Sequence, residues 1–181
     1  MLSIAQEVSC DIEEIYASES ADTTTINFTK KLSDDKKEYL FESNTIKLKM
    51  FGKIHNIVIS YGMDIGFASP KDITKITNHI KKFVRNCEKI TDPLTDQLIA
   101  TWNVYQVEYP YVAKAKSVSD LQGFYFHHLS IDEYNYRKGN GIQIILDGEW
   151  DVEPEHGIGI KFDSNFKCIT MATVDLCYFG N

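Results

Sequence analysis

Between residues 69 and 109 the apolar residues recur every three or four positions, whereas on both sides of that segment they alternate. No other feature constrains the fold as much. A helix brings every third or fourth side chain to one face, and a strand every second. Ile73, Ile76, Ile80, Phe83, Val84, Cys87 and Ile90 follow the helical spacing, with Lys71, Lys75, Lys82, Arg85 and Lys89 gathered opposite them. Such a basic face is what a solvent-facing amphipathic helix shows. Ser69-Pro70 supplies an N-cap and a first-turn proline, and Asp72 lies near the positive helix end. Asp92-Pro93 repeats the start signal, and Leu94, Leu98, Ile99, Trp102 and Tyr105 form a second apolar stripe. The short break between the stripes implies an antiparallel helical hairpin over 69–109.

The flanking thirds read as strands. Ile46, Leu48 and Met50 alternate with Lys47 and Lys49, and Gly52-Lys53 offers a turn before Ile54–Ser60, so 45–60 is expected to be a hairpin. TTTINFTK and YLFES add short candidates within 24–60. Val118–Leu121 suggests one further helical turn. From 123 to 179 the segments GFYFHHLS, IQIILDGEW, GIGIKF, FKCITM and TVDLCYF are separated by turn-rich RKGNG and DSN, the pattern of an antiparallel meander. The expected fold is therefore α+β: an antiparallel β-sheet meander with a central helical hairpin packed on one face, all in one domain over 1–181.

Charge narrows the function classes. The 26 acidic residues outnumber 19 Lys and Arg, a net charge of −7, whereas a nucleic-acid binder needs a basic footprint. No window approaches the length of apolar sequence that a membrane span requires. MLSIAQEVSC has neither a basic start nor an apolar run, so the expected location is cytoplasmic, with neither nucleic acid nor membrane as partner. Cys10, Cys87, Cys168 and Cys177 are far apart and read as idle thiols of a reducing compartment.

Chemistry-bearing residues concentrate in one stretch. Asp147, Glu149, Asp151, Glu153 and Glu155 fall on alternate positions with no Lys or Arg between them. In extended chain they would form one acidic edge, a strip able to attract a basic surface, or a solvated loop that keeps a sheet edge from aggregating. Pro154 interrupts any ladder there. His156, beside Glu155 and before Gly157-Ile158-Gly159, has the composition of an acid/base pair or of a backbone-bonded turn. His127-His128 has the look of a metal site, yet neighbours on a strand point to opposite faces, so only one could join a site with His156 or Asp163. HExxH and Cys/His metal spacings are missing, and neither a metal nor a cofactor is expected.

Residues 150–162, WDVEPEHGIGIKF, resemble the W-D-x-E-H-G-x-G type signature of a group of bacterial domains of unknown function, which is followed by a final β-hairpin. This chain departs from the signature by inserting Pro154-Glu155. About 30 residues, 148–178, carry the resemblance. Members of such groups often look like immunity proteins of toxin systems, which implies a protein partner, a basic toxin domain neutralised by direct occlusion. Acidic inhibitors suit toxins that attack nucleic acids, since those must be basic. The partner-binding residues expected on this reading are Glu149, Trp150, Asp151, Glu153 and Glu155, with His156 shaping the turn, and no catalytic residue. Two other readings stay open: a small hydrolase or metal-dependent enzyme using Glu155, His156 and His127, and a structural or scaffolding module.

Overall fold

The computed structural model describes residues 25–179; Cys10 and the first positions of the expected N-terminal strand region lie outside them. Strands β1 (Phe28–Leu32), β2 (Glu38–Ser43), β3 (Ile46–Met50) and β4 (Lys53–Asp64) come first, followed by helices α1 (Pro70–Thr91) and α2 (Thr95–Tyr105). Then come β5 (Tyr125–Ile131), α3 (Glu133–Arg137), β6 (Ile144–Glu149), β7 (Ile158–Phe162), β8 (Cys168–Ala172) and α4 (Val174–Phe179). The eight strands share one sheet in the order β1-β2-β4-β5-β6-β7-β8, with β3 also on β4. The α+β class and the C-terminal meander are as the sequence implied.

Strands β2 and β3 are two parts of one long arm paired to β4. Glu42 faces Ser60 and Ile46 faces Ile57, so the arm holds one more residue than β4 between those pairs, a bulge. Ser43 fills the ladder gap there, its Oγ accepting the Ile59 N–H at 2.9 Å. The turn into β4 is made by Phe51 and Gly52, both with positive φ, one residue earlier than Gly52-Lys53.

Strand β4 pairs with β5 in parallel through Val58↔His128 and Ile59↔Leu129, the one parallel junction in the sheet. Parallel neighbours need a long crossover, and residues 65–124, carrying α1 and α2, provide it. Helix α1 opens as expected, the Ser69 side chain accepting the Asp72 N–H. The expected helical hairpin does not form. Thr91, Asp92 and Thr95 keep right-handed helical dihedrals around a 3-10 turn at Asp92–Leu94, so the chain bends without reversing. Pro93 has no N–H to continue the α1 ladder, which ends the helix locally and starts the next. Helix α1 consequently lies on β3, and α2 on β8.

One face of the sheet and both long helices enclose the core, where Ile57, Ile59, Ile76, Ile80, Phe83, Leu98, Trp102, Phe126, Ile160 and Phe162 are fully buried. Each such side chain contributes about 1.5–3 kcal/mol through removal from water. The 3-10 turn at Val118–Asp120 confirms the short helical turn. Two elements differ from expectation. Residues 133–137 form a helix capped by Asp132, and TVDLCYF forms helix α4 instead of a last strand. Helix α4 packs on the sheet face opposite α1 and α2, with Cys177 fully buried against Gly159. Among the described residues Cys87, Cys168 and Cys177 are unpaired thiols, burial pushing Cys87 and Cys177 up to about 11. No described helix is long and apolar enough to cross a membrane.

Candidate functional site

The outward face of β4, β5 and β6 carries the polar cluster, and a bulge creates it. Register shifts between Phe126 and His128, so Phe126 and Leu129 are both buried in the core although three positions apart. The extra residue leaves His127 and His128 together on the outward face, which corrects the expectation that only one could join a site. Two groups hold the bulge. Gly148, paired to Phe126, has no Cβ; one added there would lie 2.7 Å from the Phe126 Cα. His55, buried on the core face, accepts the Phe126 N–H on Nδ1 at 2.9 Å, and its Nε2–H donates to the Met50 carbonyl at 3.3 Å. Burial lowers the pKa of His55, consistent with this neutral, acceptor-plus-donor form.

Asp147 stands opposite His128 and anchors the cluster. Its Oδ2 accepts from His128 Nδ1 at 2.9 Å and from the Tyr178 hydroxyl at 2.9 Å, while His127 Nε2 lies 3.8 Å from Oδ1. Burial works to raise the Asp147 carboxyl, but the hydrogen bonds from His128 and Tyr178 and the nearby imidazoles hold it below the usual carboxylate range. An ionised carboxylate only accepts, so His128 donates to it from Nδ1, and in the neutral ring Nε2 is then the acceptor. That nitrogen meets the Ser60 hydroxyl at 2.6 Å, and Ser60 is the donor when the ring is neutral.

The signature stretch supplies the opposite wall. The chain leaves β6 at Glu149 and re-enters extended structure only at Ile158, because residues 151–156 are turns. The five alternating carboxylates therefore do not form one acidic edge. Glu149, Asp151 and Glu155 are exposed, while Asp147 and Glu153 are buried and bonded. Glu153 accepts from the Tyr109 hydroxyl at 2.7 Å and from His156 Nδ1 at 3.0 Å. Those bonds outweigh burial and lower its pKa, and the same carboxylate pushes Tyr109 up to about 12. The second nitrogen of His156 faces Asp175 of α4 at 3.7 Å, so the ring sits between two carboxylates. Its backbone carbonyl accepts the Val174 N–H at 3.1 Å, joining the loop to α4. Gly157 comes next with φ +59°, close under the Gly148 carbonyl.

Trp150 belongs to the core. It is 1% exposed, edge-on to Trp102 at 5.6 Å and tilted against Tyr105, so it cannot be the partner-facing anchor expected from sequence. Asp151 is exposed but points to Gly123, away from the cleft wall.

Between the strand face and the loop lies an open cleft of about 800 Å³. Asp147, Glu149, Glu155 and Asp175 line it together with His127, His128 and His156, and among the described residues no Lys or Arg does. Among the described residues no group of three or more His, Cys, Asp or Glu has the geometry to hold a metal ion. Sequence reasoning missed Ser60, Tyr178 and Asp175. Ser60 gave no signal, being one outward-facing residue on an alternating strand. Tyr178 and Asp175 lay in a segment read as strand. Comparison with protein-family models, curated proteins and solved structures found no match.

Proposed function

We propose that this protein is a binding protein whose acidic cleft receives a basic element of a protein partner, most concretely an immunity protein that neutralises a bacterial toxin by occlusion. One observation carries the reading: among the described residues, four carboxylates and no Lys or Arg line an open cleft on the sheet's outer face. Such a cleft focuses negative potential and draws in a Lys or Arg side chain, raising the association rate. Glu149, Glu155 and Asp175 are the exposed carboxylates that would meet it first. Glu153 and His156 act indirectly, shaping the wall through their mutual hydrogen bond. The resemblance of residues 150–162 to the immunity-like signature supports the same partner class.

The test is co-purification of the tagged chain with the product of the adjacent gene across a salt series, followed by kinetics of Glu149→Lys/Glu155→Lys. A stoichiometric complex is expected, with association slowed by about tenfold or more in the variant and a flatter salt dependence. Unchanged association kinetics in the variant would remove the cleft from the binding surface.

A further inference from the structure

Ser60, His128 and Asp147 stand on three adjacent strands, β4, β5 and β6, joined by hydrogen bonds of 2.6 and 2.9 Å. We infer that Ser60 is an activated nucleophile, with His128 as its general base and Asp147 as the group that positions the base, for acyl transfer from an ester carrying a cationic group. This activity is separate from the partner-binding reading and does not rest on it.

Three observations support the assignment. The Asp147 carboxylate takes the Nδ1–H of His128, which fixes the tautomer with its basic nitrogen toward the Ser60 hydroxyl; this is the order of roles in serine hydrolases generally. Asp147 is only 8% exposed and is held from its far side by Tyr178, whose hydroxyl also bonds Ser130 at 2.6 Å. These bonds hold the carboxylate toward His128. Access comes from the cleft: His127, His128 and Asp147 line it, as does Val58, the outward-facing neighbour of Ser60 on β4. Ser60 itself is half-buried and stands behind His128 rather than in the cleft wall, its hydroxyl within hydrogen-bond distance of that lining imidazole. The acidic lining selects for a cationic substrate.

The chemistry balances without a cofactor. The Ser60 Oγ forms a bond to the acyl carbon as its proton passes to His128 Nε2. The ester C–O bond then breaks, and His128 returns that proton to the departing alkoxide. Water attacks the acyl-serine by the same route, releasing a carboxylic acid and restoring the hydroxyl. The net reaction is ester plus water to acid plus alcohol.

An alkyl fluorophosphonate is the direct probe, since Ser60 attack forms an O–P bond and expels fluoride. Incubating the full chain with it should add one phosphonyl group by intact mass, mapped to Ser60 by peptide sequencing. Ser60→Ala should take up none while keeping the parent's thermal unfolding, because only a hydroxyl is lost. His128→Gln should label more slowly by about 10²-fold or more, the scale of general-base assistance. Asp147→Asn should also slow labelling, because an amide can present its N–H and reverse the tautomer. Acetate esters of choline and of an uncharged alcohol then read the charge preference, with faster hydrolysis of the choline ester expected. Lack of an adduct in the parent chain, an adduct elsewhere, or an unchanged rate in folded His128→Gln would each overturn the assignment and leave the three residues as a buried polar brace.

Discussion

Gly148 lies directly beneath Phe126, with room for a hydrogen and none for a methyl group: a Cβ would come 2.7 Å from the Phe126 Cα. This closeness is what lets β5 bulge toward β6 and turn His127 and His128 to the same face. Gly148→Ala must therefore push β5 away or erase the bulge. We expect a loss of about 2–4 kcal/mol in chemical denaturation, the range of severe backbone and packing clashes, together with changed imidazole resonances for both histidines. A near-neutral Gly148→Ala with both resonances unmoved would show that the bulge does not depend on this contact.

Trp150 is the largest side chain of the signature and one of the most buried in the protein. Trp150→Ala should cost about 3–5 kcal/mol, as expected for an emptied aromatic site. Its indole N–H finds no acceptor among the described residues, so Trp150→Phe removes a desolvated donor along with some area. That substitution should cost about 2 kcal/mol or less. Urea titrations of the two variants give the comparison, and equal losses would contradict it.

Lys161 and Asp132 form a buried ion pair at 2.6 Å, with side chains 8% and 7% exposed. Burial works to raise Asp132, but Lys161 and Asn135 outweigh it and the net pKa is lowered. A lowered carboxylate contributes stability above its unfolded pKa and loses it as pH falls through the folded value. Lys161→Met leaves that carboxylate buried without its counter-charge, bonded only by Asn135, and should cost about 3–5 kcal/mol at neutral pH. The deficit should shrink in acid, below about pH 4, where Asp132 can take up a proton. Thermal unfolding against pH measures this, and a pH-independent deficit would assign the loss to packing.

His156 gives a dependence of the opposite sign. The hydrogen bond to Glu153 raises its pKa, desolvation works against that, and the charges of Asp175 and Glu155 add to the rise. A raised histidine contributes fully below its unfolded pKa of about 6.5 and loses that contribution as pH climbs through the higher folded value. The 153–157 loop should thus hold α4 more tightly at pH 6 than at pH 8.5. Hydrogen exchange at the Val174 amide, corrected for intrinsic rate, should quicken over that interval in the parent chain and stay level in His156→Gln. Parallel profiles in the two proteins would mean that the imidazole charge has no part in the junction.

The helical and strand periods were legible because burial repeats along those segments: Ile76, Ile80, Phe83 and Cys87 are buried, and Lys75, Lys82 and Arg85 exposed, as the spacing demands. Helix α4 was misread because its six residues hold only one fully buried side chain, Cys177, too few for a period to show. The reversal expected at Asp92-Pro93 failed because proline ends a hydrogen-bond ladder without specifying the direction of the next helix. The acidic strip failed for a related reason. Alternation puts side chains on one face only in extended chain, and the chain turns after Glu149.

By itself the sequence determined the class of fold, the position of the long helices, the acidity of the molecule and the concentration of chemistry around residues 147–157. These depend on local period and composition, which neighbours in the chain carry. Only the tertiary structure decided that Trp150 faces inward, that Glu153 is spent on Tyr109 and His156, and that Ser60, His128 and Asp147 meet. Ser60 comes from a strand that pairs with that of His128 only after a long crossover, and the meeting of all three depends on one bulge and on one glycine that makes room for it. Register between distant strands is a property of the packed sheet, so no local pattern could announce it.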